Sequence, residues 1–126
     1  MTTVLIAEDN VTNRELLREI LEGYGCTVLE ACHGQEVLSL IEQKLPDVVL
    51  MDIGMPVMDG FATISKIRQN QRYAAVPVVA VTAYAMSGDR EKILSSGFDG
   101  YLSKPVDSRS LIEELRHCLK SPQFCK

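Results

Sequence analysis

Val48-Val49-Leu50-Met51-Asp52 sets four apolar residues in an unbroken run and closes it on an acid. A strand with one wet face alternates apolar and polar residues, whereas an unbroken run marks a strand covered on both faces. Val4 to Ala7, followed by Glu8-Asp9, repeats the pattern, and so does Val78 to Val81, followed by Thr82. Two further strand candidates, Thr27 to Glu30 and Gly100 to Leu102, are mixed in character and fit the edges of a sheet.

The segments between these runs carry apolar residues three and four apart, the period of a helix with one buried stripe. Leu17, Ile20, Leu21 and Tyr24 form the first stripe, and Val37, Leu38, Ile41 and Leu45 the second. Phe61, Ile64 and Ile67 mark a third helix, Ile93 and Leu94 a shorter fourth, and Leu111, Leu115, Cys118 and Leu119 a fifth. Gly23, Gly25, Gly34, Gly97 and Pro46 fall at the boundaries, where helix stops and turns need them. Five strands alternating with five helices predict an α/β protein, a parallel sheet covered on both faces. Right-handed crossovers favour the flavodoxin-like, doubly wound strand order 2-1-3-4-5. These units account for residues 1–120 as one domain and leave 121–126 as a short tail.

The chain has 126 residues, 46% of them hydrophobic and 24% charged, a balance that supports one packed core and excludes a disordered chain. No apolar run reaches the roughly 20 residues that cross a bilayer. Met1-Thr2-Thr3 leads straight into the first strand without the basic flank of a signal peptide, so a free-standing protein of the cytoplasm is expected. Cys26, Cys32, Cys118 and Cys125 form no Cys-x-x-Cys pair and read as reduced structural thiols. A formal net charge of −4 argues against nucleic-acid binding, which rests on neutralising phosphates.

In a doubly wound sheet, ligands bind beyond the carboxyl ends of the strands. Those ends carry Glu8 and Asp9, then Asp52, Thr82 and Lys104. Three carboxylates placed together repel one another unless a cation intervenes. A hard divalent ion held by one or two carboxylates and waters, magnesium above all, meets that need, with Lys104 neutralising further charge. The loop Glu8-Asp9-Asn10-Val11-Thr12 has no glycine fingerprint for a dinucleotide, and its acids would repel a flavin phosphate. Phosphoryl transfer onto a carboxylate, with Asp52 as nucleophile, is the chemistry such a site suits.

Glu8-Asp9, Asp52 within Met51-Asp52-Ile53-Gly54-Met55-Pro56-Val57-Met58-Asp59-Gly60, Thr82-Ala83 and Lys104-Pro105 together resemble the receiver domain of response regulators. The likeness covers essentially the whole chain. It implies that Asp52 accepts a phosphoryl group from a phosphohistidine, donated by a sensor histidine kinase or a histidine phosphotransfer protein. It also implies that Asp9, Asp52 and the Gly54 backbone carbonyl ligate Mg2+, with Glu8 acting through water. Thr82 and Lys104 would bind phosphoryl oxygens, and Tyr101 would turn inward as Thr82 moves, changing the face that meets a downstream protein. The Lys104-Pro105 bond is expected to be cis. Gly54 and Tyr84 hold the positions that tune hydrolysis, and a slow loss of the phosphoryl group is expected.

The Asp-Asn-x-x-Asn spacing is similar to receivers of hybrid kinases and phosphorelays. It assigns Asn10, Val11, Asn13 and Arg14 to partner docking, with Met55, Pro56 and Pro105 beside them and Met55, Pro56 and Val57 as an apolar lip. His33 and His117 read as surface residues, Arg109, Arg116 and Lys120 as a solvated face, and Met51, Met55, Met58 and Met86 as packing. The expected assembly is a monomer or weak dimer, with no membrane partner. Three other classes compete: an aspartyl-nucleophile phosphatase, a flavin or redox module, and a receiver-like interaction module that no longer uses phosphate. The phosphatase commonly needs an acid where Gly54 stands; Glu8-Asp9 disfavours the flavin; the complete acid, hydroxyl and lysine set disfavours the third.

Overall fold

The computed structural model describes residues 2–54, 59–83, 89–104 and 106–119. Five strands, β1 (Thr3–Ala7), β2 (Thr27–Ala31), β3 (Val48–Asp52), β4 (Val78–Thr82) and β5 (Gly100–Ser103), alternate with five helices. These are α1 (Val11–Gly23), α2 (Gly34–Gln43), α3 (Gly60–Gln69), α4 (Asp89–Ser95) and α5 (Ser108–Leu119). All strand pairings are parallel, and the order is β2-β1-β3-β4-β5. This is the predicted flavodoxin-like sheet, with the two mixed segments at its edges. β1 ends at Ala7 as expected and starts one residue earlier; the other four strands run one residue further toward their carboxyl ends, so Asp52 and Thr82 are strand residues held by the ladder.

Side-chain alternation divides the core into two layers. Leu5, Val49, Met51, Val78 and Ala80 pack with α2, α3 and α4, and Tyr101 leans on that layer. Val4, Ile6, Val48, Leu50, Val79, Val81 and Leu102 pack with α1 and α5. Leu17 and Leu21 of α1, Val37 and Ile41 of α2, Ile64 and Ile67 of α3, and Leu111 and Leu115 of α5 are buried as their spacing predicts. Two assignments need correction. Leu45 is 55% exposed because Lys44 ends α2 in extended backbone and takes the chain out of helical phase. Leu94 is 38% exposed, leaving Ile93 as the buried residue among the described side chains of α4.

Local chemistry sets the helix ends. Asn10 and Asp59 accept the amides of Asn13 (3.0 Å) and Ala62 (2.9 Å), satisfying first-turn donors of α1 and α3. His33 caps α2 through Nδ1, a structural role in place of the plain surface position expected. Gly25 and Gly97 take positive φ, 85° and 113°, just after α1 and α4, where side chains are disfavoured. Arg68 closes the far end of the sheet, donating to the carbonyls of Ala74, Val76 and Gly97 and to Asp99. Among the described residues, no helix is long and apolar enough to cross a membrane.

Candidate metal and phosphoryl site

The ladder register brings the chemistry to one edge. Ala7 lies opposite Met51, Asp52 opposite Val81, and Thr82 opposite Ser103. Glu8 and Asp52 therefore stand one step beyond, or on, the ends of neighbouring β1 and β3, and Lys104 one step beyond β5, across β4. By alternation Glu8 and Asp52 continue the α1/α5 layer of Ile6 and Leu50, whereas Thr82 continues the opposite layer of Val78 and Ala80. Thr82 thus shares its face of the sheet with Tyr101, which pairs with Ala80 on the next strand.

Oxygens from Glu8, Asp9 and Asp52 all lie within 4.8 Å of one another. Lys104 Nζ sits 2.8 Å from Glu8 Oε1 and 3.2 Å from Asp52 Oδ2. The Gly54 amide donates to Asp52 Oδ1 at 3.1 Å, and the Asn10 amide to Glu8 Oε2 at 3.3 Å. Glu8 is only 2% exposed, with Asp52 at 8% and Thr82 at 3%, while Asp9 faces solvent. Burial pushes the Glu8 carboxyl up and Asp52 adds to the shift, which Lys104 opposes. Burial alone would pull Lys104 down, but Glu8 and Asp52 outweigh it and hold the ammonium above its ordinary value.

These groups suit a divalent cation. Three carboxylates against one ammonium leave a formal charge of −2 in a partly dehydrated pocket, where such a surplus is costly. Glu8 Oε1 is buried against the Lys104 ammonium at 2.8 Å, and the same ammonium also serves Asp52, so one cation is shared by two buried carboxylates. The all-oxygen donor set fits a hard ion such as magnesium. An added Cβ at Gly54 would have Asp52 Oδ1 at 3.9 Å as its nearest neighbour, so the site stays open there.

The predicted site residues come together only in part. Glu8, Asp9, Asp52, Gly54, Thr82 and Lys104 meet at the carboxyl edge, and Asn10, Val11 and Asn13 open α1 beside it. Arg14 departs from the docking surface expected of it: its side chain is 15% exposed and its guanidinium binds the Glu8 carbonyl and Glu30. Met55, Pro56, Val57, Met58, Tyr84, Met86, Pro105, Lys120 and Cys125 lie outside the described residues, and the cis bond expected before Pro105 lies there with them. A cavity of about 260 Å³ adjoins the site, floored by Glu8 and Lys104 and walled by Asn13, Leu16, Leu17, Val81 and Val106. Leu16 and Val106 are absent from the sequence-based list. Leu16 carried a signal, since it is an apolar residue off the buried stripe of α1 and stays 48% exposed.

A five-stranded doubly wound sheet with acids, threonine and lysine at one carboxyl edge defines a class of phosphoryl-accepting switch proteins. The response regulator receiver domain matches residues 4–116, and the chain belongs to that family. It is 42% identical over 120 residues to an uncharacterised 14.6 kDa protein of Leptolyngbya boryana, covering 94% of this chain and 92% of that one. It is 36% identical over 117 residues to the polar-differentiation response regulator DivK of Brucella anthropi, covering 93% and 95%. Among solved structures, the receiver domain of sensor histidine kinase PA1611 from Pseudomonas aeruginosa has a magnesium ion coordinated in its active-site cleft. It superposes with a TM-score of 0.88 at 32% identity over 95% of this chain and 98% of that one. A response regulator from Chloroflexus aurantiacus gives 0.90 at 29% identity, covering 95% and 98%. The protein is thus a receiver of two-component signalling, a regulatory phosphoacceptor.

Proposed function

We propose that Asp52 is the phosphoacceptor and that Asp9, Asp52 and the Gly54 carbonyl hold Mg2+, with Glu8 acting through water. The observation that carries this reading is the convergence of three carboxylates within 4.8 Å of one another, two of them paired with Lys104. When bound, the magnesium ion supplies charge neutralisation between these carboxylates and an incoming phosphoryl group. A carboxylate oxygen of Asp52 attacks phosphorus as the donor's N–P bond breaks, and the imidazole leaves with that bond's electron pair. Lys104, already against Asp52, pairs with a phosphoryl oxygen, and the buried Thr82 hydroxyl binds another. Because Tyr101 shares Thr82's side of the sheet, movement of Thr82 alters the packing of Tyr101. The new contacts bias a two-state equilibrium of the β4–β5 face toward binding a downstream protein. Gly54 offers no side chain to orient water, which supports slow hydrolysis.

The phosphoryl donor is a sensor histidine kinase or a histidine phosphotransfer protein. Its docking surface is the opening of α1, through Asn10, Val11 and Asn13, with Leu16 and Val106 extending it. Met55, Pro56 and Pro105 border the same site by sequence. Residues 1–120 form the receiver unit and 121–126 a tail, in a cytoplasmic setting shared with the kinase.

Intact-mass spectrometry after incubation with acetyl phosphate and magnesium tests the reading. One phosphoryl group should be gained, only with magnesium and not in Asp52→Asn. Failure with acetyl phosphate and with a phosphorylated histidine-bearing donor alike would replace it with a phosphate-independent interaction module.

A further inference from the structure

We propose that Arg14 is a positioning residue that fixes the acidic loop after β1, so that Glu8 and Asp9 are presented correctly for the cation. The proposal rests on the metal-binding reading above. It starts from an asymmetry in how the loop is anchored. Glu8 follows β1 directly, and its amide completes the ladder by donating to the Ala31 carbonyl at 3.0 Å. Its own carbonyl belongs to the peptide that joins Glu8 to Asp9. That carbonyl accepts from Arg14 Nη1 at 2.8 Å.

Arg14 is in turn aimed. Its Nε donates to Glu30 Oε1 at 3.2 Å, and Glu30 sits in β2 opposite Ile6. Arg18 Nη1 holds the other Glu30 oxygen at 2.9 Å, so the carboxylate that orients Arg14 is itself fixed. One planar guanidinium thus ties α1, β2 and the Glu8–Asp9 peptide together, a geometry that a single ammonium does not reproduce. The orientation of that peptide plane sets ψ of Glu8 and φ of Asp9, and hence where the Asp9 carboxylate projects. Charge–charge repulsion among Glu8, Asp9 and Asp52 pushes the loop outward; the Arg14 bond opposes that displacement.

The sign of one measurement separates positioning from simple electrostatics. Arg14 is a cation beside a cation site, so by Coulomb's law alone its removal would tighten magnesium binding. Loss of positioning weakens it. By titration calorimetry with magnesium chloride, Arg14→Ala should bind about tenfold more weakly than the parent, the scale on which groups that orient metal ligands act. Arg14→Lys, which keeps the charge and loses the fork, should also bind more weakly than the parent, where charge alone predicts no change. Tighter or unchanged binding in Arg14→Ala would overturn the proposal. A metal-free measurement keeps the test independent of the proposed function. Amide hydrogen exchange at Glu8 should be about tenfold faster in Arg14→Ala, with Leu50 in the sheet centre unchanged, as local opening predicts. Unchanged exchange at Glu8, or equal acceleration at Leu50, would refute local positioning. If the parent binds no magnesium yet Glu8 exchange responds as expected, the metal reading fails while the anchoring role stands.

Discussion

Gly54, just after β3, and Gly60, which opens α3, should respond differently to the same substitution. An added Cβ at Gly60 would stand 2.8 Å from Ile53 Cα and 3.2 Å from the Asp52 carbonyl oxygen. Ordinary contact begins at 3.4 Å, and both obstacles are backbone that cannot rotate aside. The close approach is built in, because the Gly60 amide donates to the Ile53 carbonyl at 3.0 Å, pulling the start of α3 onto the loop. Overpacking of this kind costs about 1–3 kcal/mol. Alanine's helix propensity and smaller unfolded-state entropy return about 0.5–1 kcal/mol. Gly60→Ala should therefore lose about 1 kcal/mol at the centre of these ranges, a fall of about 0.5–1 M in the urea midpoint. At Gly54 the nearest atom to an added Cβ is Asp52 Oδ1 at 3.9 Å, so Gly54→Ala should stay within about 0.5 kcal/mol of the parent. Urea unfolding followed by far-ultraviolet circular dichroism reads both, since the chain has no tryptophan for fluorescence. A Gly60→Ala midpoint at or above the parent's, or equal losses at the two positions, would refute the packing reasoning.

The buried acid and a half-buried thiol give two further tests. Burial holds the folded-state pKa of Glu8 above its ordinary value of 4.5, so its contribution is present below 4.5 and lost as pH rises through the folded pKa. In metal-free buffer Glu8→Gln should then be more stable than the parent at pH 7, with the gap closing toward pH 4.5; urea midpoints showing a gap independent of pH would contradict this. The Cys118 thiol is pushed up to about 11 by burial first, then by Glu114 and Asp99, whereas Cys32 is exposed. At pH 8 iodoacetamide should label Cys118 more slowly than Cys32 by roughly tenfold or more, read by peptide mass, because the thiolate is the nucleophile; comparable rates would show that Cys118 is not shielded.

Much of this protein was legible without coordinates. The unbroken runs at Val4, Val48 and Val78 required strands covered on both faces, and the mixed segments around Val28 and Tyr101 could sit only at edges. Acids at the ends of two central strands could then be placed together, because parallel strands in one doubly wound sheet share a carboxyl edge. Periodicity failed where a chain break in phase decided the outcome: Leu45 lies at helical spacing from Ile41, but Lys44 has already left the helix. Sequence spacing also names which residues lie near a site without saying which way they turn. Arg14 stands in the first turn of α1 among docking candidates, and only the position of Glu30 on the neighbouring strand and of the Glu8 carbonyl draws its guanidinium inward. The burial of Glu8 against Lys104, the close approach at Gly60 and the groove walled by Leu16 and Val106 have the same origin. Each depends on atoms from segments distant in the chain or on opposing backbones. Local propensity and hydrophobic period determine the elements and their order; the contacts among them are set by packing, which is a property of the whole fold.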